Sequence, residues 1–112
     1  MKEEKIQIDE FKKLDLRVGK ILQVEDHPNA NKLYILTVDL AEDKPRTIVA
    51  GLKPYYPKEH LVNKKAVFVA NLEPATIRSI QSNGMILAAG NEEGKVLFIT
   101  PEKDIEVGSK IR

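Results

Sequence analysis

Between Leu16 and Leu40 the chain reads LRVGKILQVEDHPNANKLYILTVDL, two apolar runs separated by a polar connector. The first run carries Val18, Ile21, Leu22 and Val24 and holds Gly19 in its interior; the second carries Leu33, Ile35, Leu36 and Val38. A glycine inside a strand marks a bulge or a sharp bend, and a strongly bent first strand is what a small barrel needs to close. The connector, Glu25 to Lys32, reads EDHPNANK. Pro28 and the asparagines make it a turn or loop, and its His, two Asn and Lys are hydrogen-bonding groups that a hairpin does not need in order to fold. The stretch is therefore read as a binding loop held out by a barrel.

At 112 residues the chain has the length of one domain, enough to bury roughly 60 to 70% of its unfolded surface. It contains no Cys, which excludes disulfides and thiolate metal sites. The first fifteen residues, MKEEKIQIDEFKKLD, hold no apolar run of signal-peptide length, and no stretch approaches the roughly 20 apolar residues of a membrane span. A soluble cytoplasmic protein without membrane contact is expected. Eighteen basic and 17 acidic residues leave a net charge of +1, so a nucleic-acid site would have to be a local patch rather than a basic coat.

Ile8 to Leu14 can form a short helix with Asp9 as its N-cap and Phe11 and Leu14 on one face. After the two runs, a polar turn at Ala41 to Pro45 leads to a third strand, Arg46 to Ala50. Lys53 to Val62 contains one helical turn, with Pro57 suited to its first position. Ala66 to Leu72 reads as a fourth strand and Met85 to Ala89 as a fifth, with Glu73 to Asn83 as a long connector. Asn83-Gly84 is the strongest local turn signal. A turn at Glu93-Gly94, an apolar run from Val96 to Ile99 and a short extended piece with a Val107-Gly108 turn complete the chain.

Three strands, a short helix and two strands is the element order of the OB-fold, a five-stranded Greek-key barrel that binds ligands between its first-to-second and fourth-to-fifth loops. The fold expected is all-β: such a barrel with a short helix between strands three and four, a short N-terminal helix and a C-terminal β extension. An SH3-like barrel is the rival, but it gives no role to the helical turn. The expected divisions are a helical flap over 1–15, the barrel over 16–90 and the β extension over 91–112. Several strands are apolar on both faces, as in Val67, Phe68, Val69 and Ala70. A barrel has one inside, so a second surface must cover the outer face; the C-terminal tail and a second copy of the chain are the two candidates, and a homodimer through the tail and the outer barrel face is preferred.

The segments DLRVGKILQVEDHPNANKLYILTVDL, TIVAGLKPYY, VANLEP and SNGMILAA, in this order, resemble the tRNA-binding domain that occurs as a stand-alone dimeric protein and as the C-terminal or β-subunit part of methionyl-tRNA synthetases. The resemblance covers residues 15 to 112. It implies an OB-fold without catalytic activity or cofactor that holds tRNA chiefly by shape and dimerises through the C-terminal region, with a methionyl-tRNA synthetase as a further partner.

Residue by residue, the resemblance points to Lys32 as a phosphate contact, with His27, Asn29 and Asn31 at sugar and base edges. Asn29 has turn formation as an equal alternative. Across the second loop, Ser82 and Met85 match an S-x-G-M pattern: a hydroxyl for a phosphate or 2′-OH, and a thioether that packs on a sugar or base face, or else belongs to the barrel core. Arg78 is the best single phosphate clamp, with Arg46 and Lys53 as further cations. Asn71 fits an N-L-x-P pattern, either as a contact or as the closure of a strand. Tyr55 and Tyr56 either stack a base or pack the helical turn. Relatives often carry Asp at the position of Asn31 and basic residues where this chain has Glu73, Ala75 and Thr76; each lost phosphate contact lowers the salt slope of binding by roughly one unit.

An enzyme is the first alternative. The two histidines, His27 and His60, lie far apart, and neither a nucleophile pattern, a Gly-rich phosphate loop nor metal-ligand spacing accompanies them. A protein-interaction module, chaperone-like or purely dimerising, is the second. The joint presence of HPNANKL and SNGM favours RNA.

Overall fold

The computed structural model describes residues 4–112. Helix α1 spans Ile8–Phe11, followed by strands β1 (Leu16–Asp26), β2 (Tyr34–Asp39) and β3 (Arg46–Ala50), helix α2 (Lys58–Leu61) and strand β4 (Lys65–Val69). Five short strands complete the chain: β5 (Ala75–Ile77), β6 (Ile80–Ser82), β7 (Met85–Ile86), β8 (Ala88–Gly90) and β9 (Val96–Phe98).

The long first strand is the frame. It pairs antiparallel with β4 from Leu16 to Lys20 and with β2 from Lys20 to Asp26, with a register shift between Ile21 and Gln23. A bulge there bends the strand and increases its twist, so one strand serves both walls of the barrel. Gly19 sits just before the bend, where a Cβ would lie 2.8 Å from both Leu40 Cδ2 and Phe68 Cδ1. Glycine thus admits the Phe68 ring to the barrel interior.

The resulting sheet has the order β3-β2-β1-β4-β7. It closes from β3 to the β6–β7 segment through Asn83 N–H donating to Thr47 O at 2.8 Å and Val49 N–H donating to Ser82 Oγ at 2.9 Å. Burial alternates along β2, with Tyr34, Leu36 and Val38 inside beside Ile21, Ile48 and Phe68, the period expected of a strand with one dry face. Leu61 of α2 is fully buried in the same cluster, so the helix between strands three and four plugs the barrel. This is the OB-like barrel that the element order implied.

Several local expectations are corrected. The N-cap of α1 is Gln7, not Asp9, and Glu10 Oε1 accepts the Gln7 N–H at 3.4 Å. Phe11 packs inward while Leu14 is exposed; residues 1–3 of the expected flap lie outside the described residues. Pro57 is the extended N-cap of α2 rather than its first helical residue. The connector Glu73 to Asn83 is an antiparallel hairpin, β5 with β6, turning at Arg78 and Ser79, whose φ values are 52° and 76°. The expected fifth strand is two: β7 pairs with β4, and β8 pairs with β9.

The free edges of β1 and β4 are joined by the tail of the same chain, and their outer apolar face is met by Phe11, Leu87 and Ile111. Val67 N–H donates to Ile99 O, Val18 N–H to Ser109 O and Ile111 N–H to Leu16 O, at 2.8–2.9 Å. Under these bonds Leu16, Val67 and Val69 form a second apolar cluster with Phe11, Leu87 and Ile111.

Candidate nucleic-acid interface

The loop after β1 and the β5–β6 hairpin meet at His27. Its ring is 4% exposed. Nε2–H donates to Ile77 O at 3.0 Å, while Nδ1 accepts the Asn29 N–H at 3.0 Å; these two partners assign the tautomer. The His27 N–H donates to Leu33 O at 3.2 Å and closes the loop on itself. Asn29 Nδ2 reaches the Arg78 carbonyl at 3.4 Å. Two loops that the sequence brings from opposite halves of the chain are thus stapled into one unit.

Of the residues expected at the site, several have their polar atoms committed to the protein. Ser82 is 4% exposed: its Oγ accepts the Val49 N–H and its hydroxyl donates to Gly84 O at 3.3 Å, so it closes the barrel. Arg46 is forked onto Glu42, Nε to Oε1 and Nη2 to Oε2, both at 2.8 Å, and Nη1 donates to Ala70 O. Asn71 accepts the Asp15 N–H at 2.8 Å and donates to Lys13 O at 2.7 Å, tying the segment before β1 to the end of β4. Lys53 pairs with Asp26 Oδ1 at 3.1 Å.

Asn31, Lys32 and Arg78 are exposed, and among the described residues none of their side chains is in a hydrogen bond or an ion pair. Met85 is 50% exposed on β7, which removes it from the barrel core. Tyr56 packs, stacking on His60 with ring centroids 5.2 Å apart and meeting Phe98 at the same distance; Tyr55 stays exposed.

Two features have no strong sequence signal. Asp26, at the mouth of the loop, holds both Lys53 and Lys58, the latter also at 3.1 Å. Lys53 first and Lys58 second, by hydrogen bonding and by charge, keep its carboxyl below the ordinary range. The Arg46 guanidinium does the same for Glu42. The second feature is an open cleft of about 870 Å³ between the β2–β3 turn and β6, lined by Thr47 and Gln81 among others.

The family described as "Putative tRNA binding domain" matches residues 16–110 of this sequence. The chain belongs to the tRNA-binding domain family. Such a domain is not catalytic on its own, although many of its relatives are segments of an enzyme. The methionine–tRNA ligase of Pyrococcus abyssi is 54% identical over 111 residues, covering 99% of this chain and 15% of the ligase. That of Methanocaldococcus jannaschii is 49% identical, covering 99% and 17%. The chain therefore spans about a sixth of the length of these curated relatives. Among solved structures, a MetRS-related protein from Pyrococcus horikoshii superposes with a TM-score of 0.90 at 35% identity, over 98% of this tRNA-binding domain and 100% of that chain. The CsaA chaperone from Picrophilus torridus superposes with a TM-score of 0.87 at 33% identity, over 96% and 100%. No helix among the described residues is long and apolar enough to cross a membrane.

Proposed function

We propose that this domain holds tRNA by its shape and its sugar-phosphate backbone, with the first loop and the β5–β6 hairpin as one contact edge. The observation that carries this reading is the buried His27, whose bond to Ile77 O makes the two loops a single preorganised unit. Preorganisation removes the ordering cost that two independent loops would incur on binding. Lys32 and Arg78 meet phosphates, the guanidinium in a forked geometry; Asn31 meets sugar or base edges, and Met85 lies against a sugar or base face. His27, Asn29, Asn71, Ser82 and the Glu42-paired Arg46 act by positioning, while Lys53, which shares Asp26 with Lys58, contributes charge.

The tail over 91–112 is the dimerisation region in this reading, through its exposed apolar side chains rather than through the lysine-lined stretch 100–104. Leu97, Ile99 and Ile105 are exposed on it, and a twofold pair would bring two contact edges to one tRNA. The domain then serves a methionyl-tRNA synthetase in the cytoplasm, as a segment or as a partner, by raising the local concentration of tRNA rather than by adding chemistry. The near-complete coverage of this chain by segments of methionine–tRNA ligases supports that role.

A protein-interaction module is the second reading, favoured by the superposition on a CsaA chaperone over that protein's whole length. A mobility-shift assay with bulk tRNA, duplex RNA and single-stranded DNA separates the two. Preference for tRNA supports the first reading; binding of unfolded polypeptide without tRNA binding supports the second.

A further inference from the structure

A second basic cleft lies on the barrel wall away from the loops. It has a volume of about 480 Å³ and is lined by Lys20 of β1, Lys64 and Lys65 around the start of β4, and the tail from Thr100 to Asp104. The tail is fixed there: Thr100 Oγ1–H donates to Lys65 O at 2.7 Å, and Lys65 Nζ pairs with Asp104 at 2.8 Å. Asp104 is thereby neutralised, its carboxyl held low by Lys65 and, more weakly, by the charge of Lys20. Lys20, Lys64 and Lys103 remain, and among the described residues none of them is in an ion pair. Against Glu102, the one other acid in the lining, the cleft keeps an excess of two positive charges.

We propose that this cleft is a second phosphate-backbone contact for the bound tRNA, distinct from the loop edge; the inference rests on the tRNA-binding reading above. Geometry supports the RNA as occupant. Lys20 and the loop at Asp26 sit on the same bent strand, six residues apart, at most about 20 Å at the rise of a β-strand. A folded RNA whose backbone lies on the loop edge spans that distance, whereas a single small anion does not. Three lysines line one cleft, and among the described residues none of them is in an ion pair; contact with phosphates there is indifferent to base identity, as recognition by shape requires.

The test is a salt titration of tRNA binding by the full chain, comparing wild type with the Lys20→Gln/Lys64→Gln/Lys103→Gln variant. A control variant, Lys5→Gln/Lys95→Gln/Lys110→Gln, carries the same change of charge. No ion pair is lost in the cleft variant, so its melting temperature should match that of wild type. Its affinity is expected to fall about tenfold or more at physiological salt, with a slope of log K against log salt shallower by about three units, while the control changes little. Unchanged affinity and slope, or equal losses in both variants, overturn the cleft while leaving the loop reading intact. Absence of tRNA binding by wild type overturns both.

Discussion

At the scale of single residues, the strongest constraint on the interface is a histidine that no ligand can reach. His27 offers one donor and one acceptor to two backbone groups, and both are used. His27→Ala strands the Ile77 carbonyl and the Asn29 N–H, at about 1–3 kcal/mol for a buried unpaired group. A loss of about 2 kcal/mol in urea unfolding is expected, with weaker tRNA binding as a consequence of loosened loops. Ser82→Ala should behave differently from a lost ligand contact: it leaves the Val49 N–H unpaired and lowers stability by about 1–2 kcal/mol, and tRNA affinity at a temperature where the fold is intact changes little. Glu42 contributes to the pH dependence beside Asp15, Asp26 and Asp104, whose carboxyls are also held low by paired cations. Its folded pKa lies below the ordinary 4.5 because of Arg46, so its stabilisation is complete above that value and is lost as the pH falls through the folded pKa. Glu42→Gln is expected to cost about 1 kcal/mol at neutral pH, and the unfolding midpoints of variant and wild type should converge in acid.

The elements differ in how much of them the sequence announces. The bend of β1 was legible from Gly19 and the existence of helix α2 from Pro57, because each follows from a local rule that the tertiary structure reinforces; the one-sided burial of β2 was not, since its apolar residues read as covering both faces. The β5–β6 hairpin was not legible. Its turn places Arg78 and Ser79 at positive φ, a conformation that hairpin loops normally give to Gly, Asn or Asp, while the Asn83-Gly84 signal sits at the step from β6 to β7. The long-range staples to Ile77 and Arg78 carbonyls hold that turn, and backbone acceptors leave no trace in residue identity. The same blindness covers Ser82 and Arg46: their types suggest phosphate contact, and only the folded chain shows that β3 and Glu42 use them. Ser79→Gly removes the strain of positive φ and should stabilise the hairpin by about 0.5 kcal/mol, measured by thermal unfolding, without loss of tRNA binding.

Across the whole molecule, charge is organised more finely than a net value of +1 suggests. Asp26 pairs with two lysines at the mouth of the loop and offsets one of their charges, Glu42 neutralises Arg46, and the cations in no ion pair among the described residues include Lys32 and Arg78 at the stapled edge. A carboxylate that competes with phosphate for Lys53 and Lys58 damps attraction to any polyanion, so Asp26→Asn should strengthen tRNA and duplex RNA binding together and steepen the salt slope by about one unit. The central claim is that the stapled loops are where the nucleic acid lies. It is tested most directly by the salt dependence of tRNA binding in the Lys32→Ala/Arg78→Ala variant, which removes two side chains that make no hydrogen bond or ion pair among the described residues. The account predicts an unchanged melting temperature, an affinity about tenfold weaker for every tRNA tried and a slope reduced by about two units; an affinity and slope equal to those of wild type would contradict it.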